Sequence, residues 1–153
     1  MAKIQIVPYS PSYANAFRKL NEAWIKKYFE MEDDDIRTLS NPQAIIDKGG
    51  FIFVALKDGA PVGVCALRKS GADTMEFSKM AVSENAQGLG IGGKLVDAAI
   101  AKAKQVGAKR LYLEGNTRLE ASVHLYKKFG FKEVIGRQSQ YKRVNIVMEM
   151  LLD

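Results

Sequence analysis

Three strand-like segments in succession, joined by turns too short to hold a helix, constrain this chain more than any other feature. Phe51 to Leu56 is an apolar run, Pro61 to Leu67 is a second, and Thr74 to Val82 is a third. Asp58-Gly59 separates the first two and is a hairpin signal; Ser70-Gly71-Ala72-Asp73 turns the chain into the third. Strands connected this tightly pair antiparallel, because a parallel pair needs a crossover of a dozen residues or more. A doubly wound parallel sheet would instead open with a strand–helix unit.

The flanking sequence supplies helices and further strands. Ile4 to Tyr9 alternates apolar and polar residues as a strand does. Ser10 reads as an N-cap with Pro11 at the first helical position, and Tyr13, Phe17, Leu20, Trp24 and Tyr28 recur at helical spacing, so a helix is expected over 11–29. Asn41-Pro42 starts a short second helix that Gly49-Gly50 ends. Leu95, Val96, Ala99, Ile100, Ala103 and Val106 mark one face of a helix closed by Gly107. A short strand over 110–113, a helix over 119–129 capped by Gly130, and strands over 131–135 and 145–152 complete the chain. The order β-α-α-β-β-β-α-β-α-β-β predicts a mixed α+β domain, an antiparallel meander followed by strand–helix–strand crossovers. No linker-like segment and no repeat divides residues 1–153, which are read as a single domain.

Composition closes off several classes. A chain of 153 residues, 47% hydrophobic and 26% charged, can bury a sizeable core and is neither collagen-like nor disordered. No apolar run approaches the ~20 residues of a membrane helix, and the N-terminus lacks the apolar stretch of a signal peptide. The lone Cys65 permits no internal disulfide, so a reducing, cytoplasmic location is expected. The net charge of +6 is uneven: 10 basic and 9 acidic residues lie in 1–75, against 13 and 8 in 76–153. A basic second half suits a nucleotide-like polyanion or is a lysine-rich solvated surface; with no aromatic-interleaved basic strand and no basic recognition helix, no specific nucleic-acid partner is expected.

Residues 87–94, Gln-Gly-Leu-Gly-Ile-Gly-Gly-Lys, open the helix that follows the meander. Unpaired amides at a helix N-terminus, with the macrodipole behind them, attract an anion, and glycine lets it approach the backbone. Gly88, Gly90 and Gly93 satisfy a dinucleotide fingerprint, but that motif should follow its strand directly in a parallel unit. Gly88, Gly93 and Lys94 satisfy a Walker A loop, but Leu95 stands where a magnesium-holding Ser or Thr is required. Glycines that merely permit tight helix–strand packing are the plainer alternative. A third match is broader. Gln87-x-x-Gly90-x-Gly92, after a strand ending Met80-Ala81-Val82, resembles the pyrophosphate loop of the GNAT superfamily of acyl-CoA N-acyltransferases. Met-Glu-Phe-Ser-Lys-Met-Ala-Val, Leu-Tyr-Leu-Glu-Gly-Asn and Leu-Tyr-Lys-Lys-Phe-Gly-Phe stand around it in that family's order and spacing.

The resemblance implies a GNAT-like fold and transfer of an acetyl group from acetyl-CoA to a primary amine, by direct attack in a ternary complex. The amides of Gly88, Leu89, Gly90, Ile91, Gly92 and Gly93 would hold the coenzyme's pyrophosphate. Gln87 stands where the family often has arginine. Met80, Ala81 and Val82 end a strand whose free backbone groups would pair with the pantetheine arm, and the Met80 amide would polarise the thioester carbonyl. Asn116 would contact the pantetheine or order the splayed strands. Tyr126 occupies the family's general-acid position, with Leu119 where many members have a second asparagine and Ser122 where alanine is common. Glu76, four residues before Met80 and expected on the same face, is the base candidate, an acidic residue inside an apolar strand. The alternative for Glu76 is an ion pair or a cap, and for Tyr126 plain core packing.

The acceptor side is less defined. Trp24 and Tyr28, with Phe29 and the acidic run Glu32 to Asp35, would suit a cationic amine. Equally, the aromatics continue the helix's core stripe and the acidic run is a solvated loop. Small molecules and peptides both remain open as acceptors, and the resemblance makes a homodimer plausible. His124 is the only histidine, so no metal site is expected; Cys65 reads as a buried small hydrophobe. The competing functional class is a non-catalytic coenzyme A-binding or regulatory module on the same fold.

Overall fold

The computed structural model describes residues 2–152. Seven strands form one sheet: β1 (Ile4–Pro8), β2 (Phe51–Lys57), β3 (Ala60–Lys69), β4 (Thr74–Val82), β5 (Arg110–Gly115), β6 (Lys132–Glu133) and β7 (Ile146–Leu151). Their spatial order is β1-β2-β3-β4-β5-β7-β6. The β4–β5 pair is parallel and every other pair is antiparallel. Five helices cover the sheet: α1 (Ala14–Tyr28), α2 (Asp33–Ser40), α3 (Gln43–Asp47), α4 (Ile91–Gln105) and α5 (Glu120–Phe129). On one face Leu67, Phe77, Leu111 and Met148 pack with Ile91, Leu95 and Val96 of α4, and α5 lies against them. On the other, Phe17 and Ile25 of α1 and Leu39 of α2 pack on Ile52, Val54 and Val64. The mixed α+β order and the meander read from the sequence are both present.

Three local expectations are corrected. The first helix begins as a 3-10 turn over Pro11–Tyr13, and Ser10 pairs its hydroxyl with that of Ser12 rather than with the helix amides. The last crossover ends in a two-residue strand, because the Phe131 amide is spent on the Tyr126 carbonyl at the end of α5, at 3.0 Å. The acidic run is no solvated loop: it starts α2. Glu32 and Asp35 form a reciprocal capping box, the Glu32 amide donating to Asp35 at 2.9 Å, and three aspartates in the first turn complement the helix dipole.

The decisive irregularity is in β4. Val64 pairs with Ala81 and Ala66 with Ser78, so β4 has one residue more than β3 between the two pairs. Lys79 takes up the slack with φ at +54°, a left-handed conformation costing about 1–2 kcal/mol in a side-chain-bearing residue. The bulge inverts the alternation of faces. Met75 and Phe77 join the α4–α5 cluster before it, and Met80 and Val82 join the same cluster after it. Glu76 therefore points its side chain to the α1 face and Met80 to the α4 face, overturning the expectation that they share one.

Candidate active site

The parallel strands part in the middle of the sheet. Pairing between β4 and β5 runs from Thr74–Arg110 to Phe77–Leu113 and then stops, although both strands continue. Into the wedge opens a cavity of about 130 Å³, reached by residues from α1, both strands, α5 and the 141–144 segment. Beyond the wedge β4 leads into the glycine loop. Gly88 and Gly90 both have positive φ, at +84° and +74°, and a Cβ added to either would meet nothing within 4 Å. The loop's outer surface is thus bare backbone at the start of a 15-residue helix whose first turn carries no acidic residue. Gly92 serves packing instead. A Cβ added there would come within 3.3 Å of Leu125, so its absence lets α4 and α5 close on each other. A phosphate-bearing ligand fits such a cradle.

Glu76 and Glu114 both line the cavity, and neither has a hydrogen-bond or ion-pair partner among the described residues. Burial pushes the Glu76 carboxyl up, Glu114 pushes it further, and Arg68 and Lys79 only partly oppose them, leaving it at about 7. A carboxylic acid poised there exchanges a proton readily at neutral pH. Ser78, two residues along on β4, has a buried hydroxyl oxygen without a partner. Tyr126 reaches the cavity from α5, its ring set edge-on to Phe77 at 6.1 Å and Phe131 at 6.0 Å. Its hydroxyl makes no hydrogen bond within the described residues, and burial raises its pKa, so the phenol holds its proton.

The far wall is an ion cluster joining distant parts of the chain. Asp35 is 0% exposed and bonded to Lys79 at 2.6 Å and to Arg143 at 2.6 and 2.7 Å. Burial alone would raise its pKa, but the bonds from Arg143 and Lys79 outweigh burial and hold it at about 2. Arg143 also reaches Glu32, and the Tyr141 hydroxyl donates to Asp34. These contacts strap the segment before β7 across α2.

A protein-family model described as the acetyltransferase (GNAT) family matches residues 14–131. The chain belongs to the GNAT acetyltransferase family. It is accordingly an acyltransferase, and the family's acyl donor is acetyl-CoA. YjgM, an uncharacterized N-acetyltransferase of Escherichia coli (strain K12), is 33% identical over 131 residues, covering 82% of this chain and 77% of its own. A GNAT-family acetyltransferase from Staphylococcus aureus Mu50 superposes with a TM-score of 0.90 at 22% identity, covering 99% of this chain and 100% of that one. A putative acetyltransferase of Salmonella typhimurium, yncA, solved with acetyl-CoA, gives 0.78 at 20% identity, covering 98% and 94%.

Against this GNAT frame the residues singled out from sequence sort clearly. Glu76, Met80, Tyr126, Asn116 and Trp24 line one cavity. Tyr28 instead lies in a separate, more open cleft beside Arg118 and Lys142, its ring 5.1 Å from Trp24. Asn116 turns its side chain to the protein, donating to the Arg143 carbonyl at 2.6 Å and accepting from the Arg118 amide at 2.8 Å. Cys65 is fully buried, with its thiol directed at the Leu95 carbonyl, and His124 is exposed. Arg68, Lys79, Glu114, Tyr141 and Arg143 carry no signal that singles them out in the sequence reading. Glu114 was within reach, since it follows Leu113 on the face opposite that buried residue. Tyr141 and Arg143 were not, since their carboxylate partners lie more than 100 positions away. No helix among the described residues is long and apolar enough to cross a membrane.

Proposed function

We propose that this protein is an acetyl-CoA-dependent N-acetyltransferase in which the acceptor amine attacks the thioester directly, in a ternary complex. The observation that carries the reading is the carboxylate pair Glu76 and Glu114 in the wedge where β4 parts from β5. Acetyl-CoA supplies the activated acyl group. The amides of Gly88 to Gly93 hold its pyrophosphate, and the free edge of Met80, Ala81 and Val82 receives its pantetheine arm. The Met80 amide donates to the thioester carbonyl oxygen as negative charge develops there. Glu76 takes the proton of the acceptor ammonium, with Glu114 beside it keeping the carboxyl basic enough to do so. The amine nitrogen then bonds to the carbonyl carbon, the carbon–sulfur bond breaks, and Tyr126 protonates the departing thiolate. Asn116 acts through the loop it ties down rather than on the coenzyme.

The test pairs calorimetry with turnover. Wild type should bind acetyl-CoA with micromolar affinity, and Gly90→Glu, which sets a carboxylate in the anion cradle, should abolish binding. Amines should release free thiol with wild type and not with Glu76→Gln. Binding without turnover on any amine would support the coenzyme-binding module instead, and no binding by folded wild type would overturn both.

A further inference from the structure

Among the charged side chains of the main cavity, Arg68 stands apart. Lys79 is committed to Asp35, and Arg143 to Asp35 and Glu32. Arg68 lines the same cavity, partly buried, yet makes no hydrogen bond or ion pair with any described residue. A carboxylate is close by. Glu76 is its register partner on β4, which puts their Cβ atoms about 5 Å apart, but the two side chains do not close on each other. Asp34 also lies in the field of Arg68, but Asp34 already accepts from Tyr141 and Arg37. The cavity therefore holds a free guanidinium next to two free carboxylates, Glu76 and Glu114.

A half-buried guanidinium with unanswered donors has lost hydration without gaining a partner. Its planar fork matches a carboxylate in two parallel hydrogen bonds. The unpaired charges of opposite sign are adjacent, so the complementary ligand carries an ammonium and a carboxylate close together. Resting on the acetyltransferase reading above, we propose that the acceptor is a free α-amino acid, its ammonium beside Glu76 and Glu114 and its carboxylate in the fork of Arg68. A peptide N-terminus or an amino-acid amide would offer Arg68 only a neutral carbonyl, and a diamine would set a second cation against it. Trp24 and Phe29 of the α1 wall give the acceptor's side chain an apolar surface, which favours the larger apolar amino acids. In the transfer, the ammonium first gives one proton to Glu76, and the α-nitrogen forms its bond to the acetyl carbon as the carbon–sulfur bond breaks. The sulfur keeps the electron pair and takes the Tyr126 proton, and the second proton that the nitrogen sheds passes through solvent to restore Tyr126.

The experiment compares each of the twenty standard amino acids with its own carboxamide, using acetyl-CoA and following thiol release. The members of a pair share the amine and the side chain and differ in the carboxylate. The expected result is at least one amino acid, from the apolar set, turned over with kcat/KM ten-fold or more above its carboxamide. In Arg68→Gln that ratio should fall to within three-fold of one, through a higher KM for the acid. Arg68→Lys, which keeps the charge and loses the fork, should give a ratio in between. Each ratio is read within one preparation, so a loss of folded protein cancels. Carboxamides used as well as or better than the acids, an unchanged ratio in Arg68→Gln, or no turnover of either set while acetyl-CoA binds would each overturn the amino-acid assignment. Failure to bind acetyl-CoA at all would overturn the acetyltransferase reading beneath it.

Discussion

Lys79 and Asp35, forty-four positions apart in sequence, meet at 2.6 Å with side chains 5% and 0% exposed. Lys79 is also the residue that absorbs the β4 bulge with a positive φ. The ion pair thus pins a strained backbone position on the wall of the wedge cavity, and ties α2 to the sheet.

Asp35→Asn should destabilise the fold by about 3 kcal/mol or more, because it leaves the cations of Lys79 and Arg143 buried without their counter-charge. Wild-type stability should also fall in acid. The Asp35 pKa, near 2 when folded, lies below the carboxyl's ordinary 3.8, so its contribution is present above pH 4 and lost as pH drops through 2. That contribution amounts to about 2 kcal/mol. Urea titrations of both proteins between pH 6 and pH 2 check the prediction: the two curves should converge in acid.

Glu76 carries the opposite sign. Its folded pKa of about 7 lies above the ordinary 4.5, so ionising it in place works against folding as pH rises through 7. Glu76→Gln should therefore be more stable than wild type at pH 8, by up to about 3 kcal/mol, with the gain vanishing near pH 4. The same variant should lose about 100-fold or more in kcat and lose the rise of kcat/KM through pH 7. Equal stability at pH 8, or an unchanged pH–rate profile, would remove Glu76 from the base role.

Tyr126→Phe should separate chemistry from packing. The hydroxyl makes no protein hydrogen bond while the ring packs on Phe77 and Phe131. Loss of the oxygen should shift stability by less than about 1 kcal/mol, yet lower kcat about 100-fold. Circular dichroism melts beside steady-state kinetics test both halves; a large stability loss would assign the tyrosine to the core instead.

The glycines of the loop should answer to substitution differently. At Gly90 an added methyl finds open space, so Gly90→Ala should cost only the left-handed backbone, about 1–2 kcal/mol. At Gly92 the obstacle is Leu125 at 3.3 Å, and Gly92→Val should cost about 1–3 kcal/mol by forcing α4 away from α5. Chemical denaturation of the two variants, each with and without acetyl-CoA, reads both effects.

The frame of this protein was legible because it rests on local signals. The hairpin at Asp58-Gly59, the glycine-opened helix α4 and the apolar stripe of α1 each announce themselves within a dozen residues. The helix α2 was hidden because four acidic residues read as solvent-seeking, whereas Glu32 and Asp35 cap it and the charges complement its dipole. The faces of Glu76 and Met80 differ from strict alternation because of a bulge that no residue type advertises: left-handed backbone is usually glycine, and here it is Lys79. The far wall was invisible for a different reason. Arg143 and Asp35 are 108 positions apart, and nothing local in either segment names the other.

The extra residue in β4 makes the strand a partition between two rooms. Upstream of it, Glu76 faces the room under α1; downstream, Met80 and Val82 turn toward the room under α4. In the proposed reaction the two reactants would therefore meet across one strand rather than compete for one side of it. The extra residue itself is Lys79: without it, the Ala66–Ser78 and Val64–Ala81 pairs would be separated by one residue on both strands, and the pairing would run unbroken. Met80 and Val82 would keep to the α4 side and Ala81 to the other, since Ser78 and Met80 would then be ordinary neighbours on opposite faces. What a shortened strand would lose is the lysine that fastens the sheet to Asp35 of α2.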